Sequence, residues 1–232
     1  MTTNTQIPTL DGGEKFPAYV ARPSGNPRGA IIVIQEIFGV NRGIRKKCDD
    51  WAAEGYLAVA PDVFWRQKPD VELDSDIPEQ FQEGVGYMMK HDFDLGIRDV
   101  EATIHWIRRE EGVPKVGLVG FCMGGRIAYL TATRTDVDAS VGYYGVGIDQ
   151  MLGESHAIAN PLMLHVPTAD GFVSPEAQKA MHEGLDGNPH VTLHDYEGLD
   201  HGFAAEHGVR RNEEAAQLAD KRTADFFVQH VG

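Results

Sequence analysis

Three short stretches carry the residue types that acyl-transfer chemistry needs. The run Gly120-Phe121-Cys122-Met123-Gly124-Gly125 follows an apolar segment and opens a helix-like one. A Gly-x-nucleophile-x-Gly turn between strand and helix is the setting of a nucleophile elbow, here with cysteine in place of serine. The turn is sharp, so its flanking positions must be small. A helix N-terminus also favours a thiolate. The second stretch, Pro161-Leu-Met-Leu-His-Val-Pro-Thr-Ala-Asp170-Gly-Phe, places an acid just beyond a strand-like run. In the third, Val191-Thr-Leu-His-Asp-Tyr-Glu-Gly-Leu-Asp-His201-Gly-Phe, a histidine lies beyond a further such run.

Each stretch alone has a plainer reading. Cys122 could be a small buried filler, Asp170 an ordinary turn residue before glycine, and His201 any one of ten histidines. His165 and His194 fall within strands and are expected to pack or face solvent. Taken together, nucleophile, acid and histidine after successive strands follow the chain order of α/β-hydrolase triads. Cys122 would then attack an acyl carbon, His201 would relay the proton, and Asp170 would orient the imidazole. Developing oxyanion charge needs two N–H donors, expected from Met123 and from Ile37 after the strand ending at Glu36.

These residues need strand ends to hold them, and the apolar pattern supplies them. Strands are expected over 16–21, 29–36, 56–62, 116–120, 139–144, 161–166 and 191–196. Helices are expected over 41–54, 93–110, 124–132, 175–185 and 211–229, with Gly55 closing the first. Residues 63–91 read as an irregular acidic excursion able to cover a pocket. Alternating strands and helices imply one α/β domain over 1–232, with a mostly parallel sheet between helical layers. Sites in such sheets lie at the carboxyl ends of the strands.

The net charge of −14 argues against nucleic acid and anionic membranes as partners. No apolar run approaches the roughly 20 residues of a membrane span. Two cysteines, Cys48 and Cys122, make no disulfide framework, and no close ligand pair accompanies Cys122 to suggest a metal. With no basic, apolar leader in Met-Thr-Thr-Asn-Thr-Gln, a cytoplasmic enzyme without cofactor is expected, as monomer or small homo-oligomer.

The motifs Gly-Phe-Cys-Met-Gly-Gly, Thr-Ala-Asp-Gly and Asp-His-Gly-Phe, preceded by Gln35-Glu-Ile-Phe-Gly-Val-Asn41, resemble the dienelactone hydrolase (carboxymethylenebutenolidase) family. Pro61-Asp-Val-Phe-Trp-Arg-Gln67 and Val141-Gly-Tyr-Tyr-Gly-Val-Gly147 extend the similarity over nearly the whole chain. The resemblance implies an α/β-hydrolase fold and a lactone or ester substrate. It also implies a role for Glu36 that spacing does not reveal, namely holding and then accepting the proton of the resting thiol. Two arginines that bind a substrate carboxylate in the family are missing. The run after His201 is Gly-Phe-Ala-Ala, and residues 78–90 contain no arginine. Arg66 and Arg126 are candidate replacements, and Phe38, Trp65, Phe172 and Phe203 candidate pocket walls. A carboxylesterase, a thioesterase and a redox-sensing thiol protein are the competing readings; the last lacks a good resolving partner, since Cys48 lies in an expected helix.

Overall fold

The computed structural model describes residues 3–206 and 208–232. Its centre is an eight-stranded sheet of strands β1 (Thr5–Pro8), β2 (Lys15–Ala21), β3 (Ala30–Ile34), β4 (Leu57–Pro61), β5 (Val116–Phe121), β6 (Ala139–Tyr143), β7 (Leu162–Pro167) and β8 (Val191–Tyr196). Their spatial order is β1-β2-β4-β3-β5-β6-β7-β8. β1 pairs antiparallel with β2 and β2 with β4, and the remaining neighbours are parallel. Every residue of β3, β4, β5, β6 and β7 is buried. Such continuous burial explains their unbroken apolar character.

Helices α1 (Arg42–Ala53), α2 (Pro78–Met89), α3 (Phe93–Glu110), α4 (Met123–Arg134), α5 (Pro175–Leu185) and α6 (Glu213–His230) complete the fold. Two glycines of β5 define the layers. A Cβ on Gly117 would meet Phe227 of α6, whereas one on Gly120 would meet Gly124 of α4. Residues three apart in a strand face opposite ways, so α6 and α4 cover opposite faces. α1 joins the α6 layer through Trp51 and Phe227, whose ring centroids lie 5.4 Å apart. α3 joins α4 through the Asp94–Arg134 ion pair.

Local signals set the helix ends. The Asn41 side chain caps α1 by accepting from the amides of Gly43 and Ile44, and Gly55 follows its end with φ 92°. The excursion expected as irregular over 63–91 differs, because it contains the twelve-residue α2. Pro78 opens that helix, and Phe81, Val85 and Met88 line one face. Gly84 and Gly86 lower its intrinsic propensity, which hides it from a reading of the sequence. No helix among the described residues is long and apolar enough to cross a membrane.

Candidate active site

Five neighbouring strand ends converge on one cleft. Glu36 and Ile37 follow β3, Cys122 follows β5, Tyr144 follows β6, Asp170 follows β7 and His201 follows β8. The cleft has a volume of about 100 Å³ and a mainly apolar wall that includes Ile37, Phe38, Phe81, Val85, Met88 and Phe172. Glu36, Cys122, His201 and Arg210 are the polar groups that open onto it alongside Ser75 and Asp76.

Cys122 sits at φ 56°, in the left-handed region that a side chain rarely occupies. Its amide donates to the Tyr143 carbonyl at 3.0 Å, and its own carbonyl accepts from Gly125 at 2.9 Å. A Cβ at Gly120 would lie 1.9 Å from the Gly124 carbonyl oxygen, and one at Gly124 would lie 2.6 Å from the Gln35 carbonyl oxygen. The glycines therefore let β3, the elbow and the start of α4 stack backbone on backbone. Met123 is the first residue of α4. Its N–H has no carbonyl one turn behind it and is free for a ligand oxygen. Ile37 lies across the cleft, and α2 docks against it through Gly84, whose position leaves only 2.6 Å between a Cβ and the Ile37 carbonyl oxygen.

His201 and Asp170 form a buried pair. Nδ1 of His201 lies 2.9 Å from Asp170 Oδ2 and 3.2 Å from Oδ1, and the side chains are 8% and 1% exposed. Asp170 Oδ1 also accepts the Phe172 amide at 2.8 Å. Asp200, next to the histidine, has a different use. Its Oδ1 accepts the amides of Gly171 at 2.9 Å and of His201 at 2.7 Å, which ties the acid's loop to the histidine's. Burial alone would lower the His201 pKa. The Cys122 sulfur and the Asp170 carboxylate outweigh it, and His201 is raised to about 10. An imidazole with that bias is built to hold a proton.

Glu36 shows the opposite balance. Burial raises its pKa, and His201, Lys47, the Tyr144 hydroxyl and Arg210 pull back in that order without cancelling the rise. The other cysteine, Cys48, is fully buried, and burial drives its thiol pKa up, so it offers no reactive partner to Cys122.

The structure brings Glu36, Ile37, Cys122, Met123, Asp170 and His201 together, with Phe38 and Phe172 on the wall. Phe172 is 48% exposed at the mouth, edge-on to the His201 ring at a centroid distance of 4.8 Å. The other expected pocket residues lie elsewhere. The Trp65 indole donates to Asp99 Oδ2 at 2.9 Å and its ring stacks on Phe16. Arg66 makes a two-pronged ion pair with the same carboxylate. Asp99 is buried in α3, and a buried acid claims the cation that neutralises it. Phe203 is fully buried against Tyr196 and Tyr144, below the cleft. Arg126 stacks over Phe93 at 4.0 Å and does not line the cleft either. Arg210 does line it, with its guanidinium 5.4 Å from the Phe172 ring. Neither Arg210 nor Tyr144 stands out by spacing, because each reaches the site through the path of its loop.

The model of the dienelactone hydrolase family matches residues 16–231. The chain belongs to the dienelactone hydrolase family. Among the family's curated members, a protein of Azospirillum brasilense named after carboxymethylenebutenolidase is 42% identical, covering 99% of this chain and all of that one. The carboxymethylenebutenolidase of Pseudomonas putida is 36% identical over 98% of this chain and 96% of its own length. A crystal structure from Klebsiella pneumoniae, named for the dienelactone hydrolases, superposes with a TM-score of 0.85 at 31% identity, covering 97% of both chains. Membership makes this protein a hydrolase acting on lactone or ester bonds, on an α/β-hydrolase fold.

Proposed function

We propose that this dienelactone hydrolase family member cleaves its substrate through a Cys122–His201–Asp170 triad and a thioester intermediate. The observation that carries the reading is the buried His201–Asp170 pair set beside a cysteine on a left-handed elbow. Glu36 takes the thiol proton, in line with the family resemblance. The Cys122 thiolate then attacks the carbonyl carbon, and the oxyanion is held by the N–H groups of Met123 and Ile37. As the tetrahedral adduct collapses, the carbon–oxygen bond breaks and His201 protonates the leaving oxygen. In a lactone that oxygen stays tethered to the acyl group. Water attacks the thioester as the now neutral His201 accepts its proton, collapse expels the Cys122 sulfur and frees the acid, and Glu36 returns its proton to the thiolate.

Arg210 supports a substrate that carries a carboxylate. Among the described residues it is the arginine that lines the cleft, and it arrives from further along the loop than the family's missing arginine. A charge-assisted contact there would orient an acidic lactone. The remaining wall is apolar and suits a small unsaturated ring.

Hydrolysis of p-nitrophenyl acetate and of charged and uncharged lactones by wild type, Cys122→Ala and His201→Ala tests the reading. Both variants should lose nearly all turnover, and equal rates in all three would refute the triad.

A further inference from the structure

Tyr144 is the second residue, after Cys122, that holds an unfavourable backbone at this site. Its φ is 39°, and it follows β6, the strand hydrogen-bonded to the one that ends in the elbow. The strained backbone turns the ring inward, edge-on to His201 at a centroid distance of 4.9 Å. The residue is 1% exposed, and its hydroxyl makes no hydrogen bond of ordinary geometry among the described residues. An unpaired buried hydroxyl costs stability, and strain of this kind persists where the surroundings enforce it. Two costs at one residue call for a use.

The hydroxyl has two neighbours able to use it. Burial raises the Tyr144 pKa, and the Glu36 carboxylate and the Cys122 sulfur raise it further. Glu36 and Tyr144 also wall a second cavity of about 250 Å³, which shares Glu36, Phe38 and Ser75 with the cleft. That cavity is lined by α1 and by the loops around Glu72 and Glu206, and it is more polar than the cleft. It has room for several water molecules at about 30 Å³ each.

The geometry points to Tyr144 as a positioning residue for Glu36: its hydroxyl donates to the Glu36 carboxylate and holds it ionised between cleft and polar cavity, ready to take the Cys122 proton. This rests on the proposed role of Glu36 as acceptor of that proton. The step balances simply. The thiol S–H bond breaks, a carboxyl O–H bond forms, and the Tyr144 hydroxyl keeps its own proton throughout. Without the donor, a half-buried carboxyl beside an apolar cleft drifts to its neutral form and cannot accept.

Other charges also face Glu36. His201 and Arg210 come from the loop after β8, Lys47 from α1 and Cys122 from the elbow. Across the polar cavity stand Arg42, Glu72, Asp74 and Glu206, and across the cleft Asp76. Lys47 is already engaged, at 3.2 Å from Glu206 and 3.3 Å from the Ala204 carbonyl. Tyr144 is therefore a neutral donor that no other group among the described residues claims.

The test is Tyr144→Phe, which keeps the ring and its contact with His201. Rates of p-nitrophenyl acetate acylation and of iodoacetamide alkylation of Cys122 should be followed from pH 5 to 9. A hydrogen bond to a charged group is worth roughly a factor of ten, so the acid limb should move up by about one pH unit. Rates should fall about tenfold at low pH and stay within about twofold at pH 9. The melting temperature serves as the control for folding, because the ring and its packing are kept. In a Glu36→Gln background, Tyr144→Phe should add nothing. An unshifted acid limb, a loss equal at every pH, or the same loss in the Glu36→Gln background would each overturn the proposal. If Glu36→Gln itself leaves the profile unchanged, the acceptor role of Glu36 falls first and this inference falls with it.

Discussion

Replacing Asp170 with Asn isolates the electrostatic part of the proposed triad with little change in shape. In the native site Asp170 Oδ1 accepts the Phe172 amide at 2.8 Å, and Oδ2 takes the His201 Nδ1–H at 2.9 Å. An asparagine that keeps its oxygen on Phe172 must turn its NH₂ toward Nδ1. The amide stabilises the imidazolium less than the carboxylate does, and once neutral the imidazole is left in the tautomer that carries its proton on Nε2. Two losses follow. The imidazolium that protonates the leaving oxygen during acylation loses a buried charge-assisted hydrogen bond, about 1.5–3 kcal/mol, or roughly 10- to 150-fold in rate. The wrong tautomer must also be corrected before each turnover. Together they should slow acylation about 10³-fold, within the range typical of such orienting acids. Stopped-flow release of p-nitrophenol from p-nitrophenyl acetate measures the step directly. Melting temperature serves as the control for folding. An Asp170→Asn enzyme that folds normally and acylates within about threefold of wild type would refute the reasoning.

Other expectations follow from the same geometry. Gly120→Ala would drive a Cβ to 1.9 Å from the Gly124 carbonyl, a backbone atom that cannot move aside. It should cost about 3 kcal/mol or more, seen as a drop of about 5–10 °C in melting temperature along with lost activity. Arg210→Ala should raise KM for a carboxylated lactone about three- to tenfold while leaving p-nitrophenyl acetate hydrolysis unchanged, because the arginine is partly exposed. His201 titrates at about 10 in the fold against an ordinary 6.5, so its stabilising contribution is full below pH 6.5 and lost as pH rises through 10. Melting curves across that window should fall for wild type and flatten for His201→Asn.

Much of this site could be read before any coordinates. The apolar runs at 30–34 and 57–61 are buried on both faces, so burial alone writes their pattern. The glycines around Cys122 are demanded by close backbone contacts with the elbow itself, with the end of β3 and with the loop after β6, and their tight spacing makes them visible as a motif. What escaped reading depends on distant partners. Arg66 looks like a free cation until Asp99 of α3 takes it, and Phe203 looks like a wall until Tyr144 and Tyr196 cover it. α2 escaped because two glycines dilute its helical character, although Phe81, Val85 and Met88 supply a half-buried stripe along the cleft. Arg210 and Tyr144 owe their places to loop path and backbone strain, which leave no periodic trace in the chain.

The central claim is that Cys122 becomes acylated. Intact-mass and peptide-mapping measurements on enzyme quenched during turnover of p-nitrophenyl acetate test it most directly. The account expects one acetyl group, located on Cys122 and absent from Cys122→Ala. Full turnover with no adduct on Cys122, or undiminished hydrolysis by Cys122→Ala, would contradict it.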